Sequence, residues 1–172
     1  MGGTISNTPM EELVRSTEVN FYGSVQFVKH MAAAMRPGGS IVLFSSMAAS
    51  HPLEHVFAYA SAKAAVDCLV RYAAIEYGER GIRVNSILPG AIRSEMSSAL
   101  WSTDGMEKSW ASECPLGRIG EPKDFADATL WLAGDAFVTG LNLQVSGGNQ
   151  LGRFPRLNER PALVGIDPTS AA

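Results

Sequence analysis

Ser40-Ile41-Val42-Leu43-Phe44-Ser45-Ser46 is a short apolar run, bounded by Gly38-Gly39 before it and small polar residues at its end. A run of that length, rich in branched residues and flanked by glycine, reads as a strand buried on both faces. Before it, residues 9–35 carry Leu13, Val14, Phe21, Val25, Val28 and Met31 broadly at helical spacing. Thr8-Pro9-Met10-Glu11 supplies a start, with Thr8 as cap, Pro9 in the first helical position and Glu11 closing a capping box. Arg36-Pro37-Gly38-Gly39 supplies the stop. After the run, Ala62, Val66, Leu69, Val70, Ala73 and Tyr77 form the stripe of a second helix over 56–77, closed by Gly78 and Gly81.

The pattern then repeats. Residues 82–88 form a second apolar run ended by Pro89-Gly90, and residues 141–145 form a third. Between them, 91–120 has no sustained periodicity, so at most short helices are expected in a long connection of the kind used as a lid or binding loop. Gly120-Glu121-Pro122 opens another helix, which Gly134 ends. Helices alternating with short apolar strands imply right-handed βαβ units and a parallel sheet of the doubly wound α/β class. The first element is a helix with no strand ahead of it, and a parallel sheet needs both faces and both edges covered. The expectation is therefore a sheet lacking its N-terminal βαβ half, with residues 1–150 as the folded part and 151–172 as an extended tail.

Composition narrows the class. The chain has 172 residues, 46% of them hydrophobic and 18% charged, which supports a packed core. A net charge of −3 argues against a nucleic-acid or anionic-membrane partner. Cys68 and Cys114 are too few for a disulfide framework or a cysteine metal site, which suits a reducing, cytoplasmic setting. The sequence has no basic stretch leading into an apolar leader and no apolar run approaching ~18 residues.

Chemistry gathers on Ser46, Tyr59 and Lys63. Tyr59 and Lys63 stand four apart at the start of a helix, so they share a face one turn from each other. An ammonium beside a phenol favours the phenolate and lowers a pKa that is ordinarily about 10. That is the adjustment a tyrosine needs to act as acid or base near neutral pH. Ser46 falls at the C-terminal end of a strand, where open parallel sheets place their ligands. A surface tyrosine beside a solvated lysine is the bland reading of the same spacing.

Its context singles the motif out. Tyr59-Ala60-Ser61-Ala62-Lys63-Ala64-Ala65-Val66, preceded by Ile41-Val42-Leu43-Phe44-Ser45-Ser46, resembles the active-site segment of short-chain dehydrogenases/reductases. Glu18-Val19-Asn20-Phe21-Tyr22-Gly23, Arg83-Val84-Asn85-Ser86-Ile87-Leu88-Pro89-Gly90, Pro115-Leu116-Gly117-Arg118-Ile119-Gly120-Glu121-Pro122 and Thr139-Gly140 through Ser146-Gly147-Gly148 resemble further landmarks of that family in the same order. The resemblance covers about residues 1–150 and implies a Rossmann-like fold. It also implies hydride transfer between NAD or NADP and a secondary alcohol or ketone. By it, Tyr59 is the general acid/base, Lys63 lowers its pKa and holds the nicotinamide ribose, Ser46 orients the substrate oxygen, and Asn20 anchors a water. Pro89, Gly90, Ile92 (by its backbone) and Ser94 (by its hydroxyl) line the nicotinamide, and the family's assembly implies a homodimer or homotetramer. Gly23 near Asn20 weakens the helix there, and a disturbed turn can offer a carbonyl to water.

The chain departs from the family in two places. Ser146 stands where aspartate is frequent, and no G-x-x-x-G-x-G or G-x-G-x-x-G occurs. That glycine loop brings backbone N–H groups to the cofactor pyrophosphate. The expectation is that only the nicotinamide half of the site lies in this sequence, with weak or absent cofactor binding by the chain alone. Two other readings compete: a cofactor-free chain with an assembly role, and a zinc hydrolase through His51-Pro52-Leu53-Glu54-His55, a literal H-x-x-E-H. His51, Leu53 and His55 otherwise border the substrate pocket. Trp101, Met106 and Trp110 suit an apolar lid over a hydrophobic or alicyclic substrate, or simply anchors for the loop. Cys68 reads as a small buried hydrophobe.

Overall fold

Three parallel strands organise the molecule: β1 (Ser40–Phe44), β2 (Arg83–Pro89) and β3 (Asn142–Val145), in the spatial order β1-β2-β3. The computed structural model describes residues 3–95, 97–156 and 159. Ser40 lies opposite Arg83 and Phe44 opposite Ile87, while Ser86 lies opposite Asn142 and Pro89 opposite Val145. All three strands therefore end together, and the loops that follow them emerge at one end of the sheet.

The helices flank this sheet as α1 (Met10–Thr17), a π-helical turn (Glu18–Tyr22), α2 (Gly23–Ala34), α3 (Phe57–Gly78), the short α4 (Ser98–Trp101) and α5 (Met106–Ala111), and α6 (Pro122–Ala133). Alternation along the strands separates two cores. Ile41, Leu43 and Val84 pack with Val28 and Ala32 of α2 and Val66, Val70 and Ala73 of α3. Ile87, Val42, Leu143 and Val145 pack with Phe125 and Leu132 of α6 on the opposite face. Helices on both faces of a parallel sheet make this the Rossmann-like α/β arrangement expected from the alternating pattern.

Two arginines secure the helix ends. Arg80 donates to Ala32 O and Met35 O, both at 2.8 Å, and so caps the end of α2. Arg83 donates to Leu132 O at 2.8 Å and to Gly134 O at the end of α6. These carbonyls have no partner within their helices, and the cationic donors also match the negative end of the helix dipole.

Several local expectations are corrected. Thr8 does not cap: its hydroxyl donates back to Thr4 O at 2.8 Å, and Pro9 occupies the cap position. A capping interaction of the expected kind forms instead at α6, where Glu121 N–H donates to Asp124 Oδ2 at 2.8 Å. β1 is not buried on both faces throughout, since Phe44 is 51% exposed. Ser45 N–H donates to Ile87 O, and Gly39 O accepts from Arg83 N–H, both at 2.9 Å. Odd-numbered residues thus pair their backbones with β2, and Phe44 lies at the end of β1, the outer strand among the described ones, past the part of its face where Val42 packs with the α6 cluster. Cys68 is exposed on α3 rather than buried, whereas Cys114 is buried and its thiol pKa is pushed up by that burial.

The loop over 91–120 is held down by a second apolar cluster: Met47, Met106, Trp110, Ile119 and Phe154, with Leu53 and Trp101 at its margin. Phe154 and Pro155 are buried, and Arg153 pairs with Glu159 at 2.6 Å, so the described residues beyond 151 pack back on the loop. The rest of the expected tail, residues 157, 158 and 160–172, lies outside the described residues. No helix among the described residues is long and apolar enough to cross a membrane.

Candidate active site

Ser46 leaves β1 in extended conformation and caps the single 3₁₀ turn of Met47–Ala49, its Oγ accepting from Ala48 N–H at 3.2 Å. Its neighbour Ser45 is buried and donates to Lys63 O at 3.1 Å, which fixes the strand end against the second turn of α3. Tyr59 and Lys63 lie in the first two turns of α3, on the face turned to that strand end. The Ser46 hydroxyl stands close enough to the Tyr59 phenol to lower its pKa, against the larger upward push of burial. Lys63 Nζ donates to Phe44 O at 2.8 Å and sits 5.6 Å from the centre of the Tyr59 ring, within cation–π range. The three groups singled out by spacing therefore converge.

The electrostatics differ from expectation. Burial pushes the Tyr59 phenol above 10.0, and Ser46 offsets only part of that, although 37% of the residue's surface remains exposed. Lys63 is not among the causes acting on the phenol; its ammonium donates to the Phe44 carbonyl. The expected lowering of Tyr59 by Lys63 is not realised in this geometry. Lys63 itself is lowered by burial, with Asp67 opposing.

Asn20 occupies the centre of the π-helical turn, the disturbed turn that Gly23 foreshadowed. Such single π turns recur at functional sites. Its side-chain amide donates to Ser16 O at 3.0 Å, and its backbone carbonyl accepts from the Ser24 hydroxyl at 2.8 Å. A cavity of about 70 Å³ between α1 and the start of α3 touches Glu12, Ser16, His55 and Tyr59.

At the end of β2, Pro89 faces Val145, and Gly90 N–H donates to Val145 O at 3.1 Å. A Cβ on Gly90 would lie 2.8 Å from Ser146 Cβ, so only glycine fits this crossing. Ile92 and Ser94 are held within the loop. The Ile92 carbonyl accepts from Ser97 Oγ at 2.7 Å and Trp101 Nε1 at 2.8 Å, while the Ser94 and Ser97 hydroxyls are 2.9 Å apart. A larger cavity of about 280 Å³, lined by Arg118, Asp124, Phe125 and Ser146, touches neither Ser46 nor Tyr59.

The zinc constellation does not assemble. His51 hydrogen-bonds Ser50 Oγ at 3.0 Å and Gln150 O at 2.9 Å, tying its loop to the segment after β3. Among the described residues no three His, Cys, Asp or Glu side chains gather to hold a metal ion. Two residues escaped the sequence reading. Ser45 holds the α3 backbone, and Asp67 stands beside Lys63; only the four-residue spacing after Lys63 could have pointed to Asp67.

Polar groups gathered at the C-terminal ends of parallel strands, with a tyrosine and a lysine on the adjoining helix, place a candidate site where Rossmann-like sheets hold their ligands. Comparison with known proteins agrees. A family model described as Enoyl-(Acyl carrier protein) reductase matches residues 1–150. The 7alpha-hydroxysteroid dehydrogenase of Escherichia coli (strain K12) is 38% identical over 144 residues, covering 81% of this chain and 56% of that protein. A short-chain type dehydrogenase/reductase from Mycobacterium ulcerans superposes with a TM-score of 0.86 at 37% identity, covering 96% of this chain and 64% of its own. A small-chain dehydrogenase in complex with NADPH gives a TM-score of 0.81 at 29% identity, covering 88% and 69% of the two chains. The chain belongs to the short-chain dehydrogenase/reductase family. It spans a little over half the length of the curated relatives it matches.

Proposed function

We propose that this chain supplies the acid/base and nicotinamide-facing part of an NAD(P)-dependent oxidoreductase acting on secondary alcohols and ketones, with a hydrophobic alicyclic substrate favoured. The observation that carries the reading is the Ser46 hydroxyl acting on the Tyr59 phenol at the end of β1, with Lys63 one turn away. Ser46 holds the substrate oxygen, and Tyr59 gives or takes its proton. Lys63 must leave the Phe44 carbonyl to reach the cofactor ribose and add its charge beside the phenol. Asn20, on the π turn packed against α3, anchors a water behind them.

Two hydroxyls and an ammonium at strand ends suit the ribose and nicotinamide of such a cofactor, and Gly90 keeps the β2 exit narrow beside them. Bound nicotinamide supplies or accepts the hydride. Pro89, Gly90, Ile92 and Ser94 line its face. The pyrophosphate and adenosine are not served by any glycine-rich loop in this sequence, so the chain's share of cofactor affinity is the nicotinamide share. The apolar cluster of Met47, Trp110 and Leu53 beside Ser46 supports a hydrophobic substrate, as does the relative named for a hydroxysteroid. Exposed apolar side chains on the outer helices, among them Val19, Phe27, Tyr72 and Ile75, support a homo-oligomer.

Reduced nicotinamide mononucleotide, which lacks the adenosine half, tests the assignment on the chain itself. Amide shifts at Tyr59, Lys63, Gly90 and Ile92 are expected in a heteronuclear titration. Shifts confined to other residues, or none at all, would overturn the proposal.

A further inference from the structure

Tyr59, Lys63, Asp67 and Arg71 recur at four-residue intervals and form one stripe along α3. The first two belong to the proposed chemistry; Asp67 has no part in it so far. Its backbone is tightly placed: Asp67 O accepts from Asn142 Nδ2 at 3.2 Å, and Asn142 Oδ1 in turn accepts from Ser86 Oγ at 2.8 Å. The carboxyl lies against the Ser45 hydroxyl, the same group that donates to Lys63 O. Yet Asp67 Oδ1 is shut off from solvent and accepts no hydrogen bond among the described residues. A buried carboxylate oxygen left without a donor is costly, and an apolar residue would fit a helix stripe at lower cost.

The surroundings point to what the carboxylate is for. Lys63 and Arg71 are the charged groups acting on it, and Asp67 is the charged group acting on Lys63. Uncharged groups complete both environments: the Phe44 carbonyl and Tyr59 ring at Lys63, and the Ser45 hydroxyl at Asp67. Burial favours the neutral amine at Lys63, whereas the proposed chemistry needs a cation there. We propose that Asp67 is a positioning residue for Lys63, its carboxylate one turn further along the stripe holding the lysine in its protonated form. Tyr59 then faces an ammonium across the working pH range, and Ser45 couples the same carboxyl to the strand that ends at Ser46. The inference rests on the reading of Lys63 as the cation of the site.

The chain contains four lysines, so ε-13C-lysine labelling resolves Lys63 by NMR. In Asp67→Asn, which keeps the shape and loses the charge, the Lys63 midpoint is expected to fall by about half a pH unit or more. Asp67→Glu is expected to restore most of it. In the unsubstituted chain the Lys63 signal should also show an acid step as Asp67 titrates, a check that holds even where Asp67→Asn does not fold. An unchanged midpoint in a folded Asp67→Asn, or no acid step in the unsubstituted chain, overturns the proposal. Either result leaves the role of Tyr59 standing if Tyr59→Phe still abolishes turnover.

Discussion

Asp124→Ala removes a carboxylate that secures both the start of α6 and the returning end of the loop. Asp124 accepts from Arg118 at 2.7 and 2.9 Å and from Glu121 N–H at 2.8 Å. Next to these, Gly120 N–H donates to Ala91 O at 2.8 Å and Arg93 N–H to Gly120 O at 2.8 Å, which anchors the segment carrying Ile92 and Ser94. The Arg118 guanidinium, together with the Glu121 N–H, holds the Asp124 carboxyl down at about 2 from an ordinary 3.8. Taken in full, that depression corresponds to about 2.4 kcal/mol. The pair is open to water, with side chains 53% and 34% exposed, so about 1 kcal/mol is the realistic share. For a domain of this size that lowers Tm by about 2–4 °C. A carboxyl with a depressed pKa stabilises the fold above its unfolded value and loses that contribution as pH falls through its folded one. Circular-dichroism melts should therefore show the Tm gap between unsubstituted chain and Asp124→Ala at neutral pH, shrinking as pH falls from about 4 to about 2. A gap that persists undiminished at the acid end, or is missing at neutral pH, refutes the reasoning.

Other outcomes follow from buried groups. Asn85 is fully buried, donates to Val138 O and accepts from Leu141 N–H, both at 3.0 Å; Asn85→Leu strands both and should cost about 2–4 kcal/mol in urea unfolding. Met106 is fully buried under the loop, so Met106→Ala should cost about 2–5 kcal/mol there and speed hydrogen exchange of α5. Ser46→Ala removes the one group that lowers the Tyr59 phenol, whose titration by ζ-13C-tyrosine NMR should move further above 10.0; a fall or no change counts against the contact.

The placement of the candidate site residues was legible because each of them is set by local sequence. Four-residue spacing places Tyr59 and Lys63 on one face, and the glycine-bounded run ending at Ser46 places the hydroxyl at a strand end. The π turn at Asn20 was foreshadowed by the glycine three residues on. What escaped depends on partners and burial that spacing alone does not name. Thr8 has the chemistry of a cap, but Thr4 offers its hydroxyl a carbonyl first. The phenol of Tyr59 was expected to fall because its neighbour is cationic, yet burial reverses the sign. Phe44 looks like core in an apolar run, and only the strand order shows that β1 is the outer strand among the described residues. Asp67 reads as an ordinary polar helix residue until the sheet shuts its oxygen from water.

The most direct measurement is nicotinamide absorbance during oxidation of a cyclic secondary alcohol at high cofactor concentration, comparing the chain with Tyr59→Phe. Loss of about 10²–10⁴-fold in turnover with an unchanged melting curve is expected if Tyr59 carries the proton. Equal turnover by the two proteins contradicts that role.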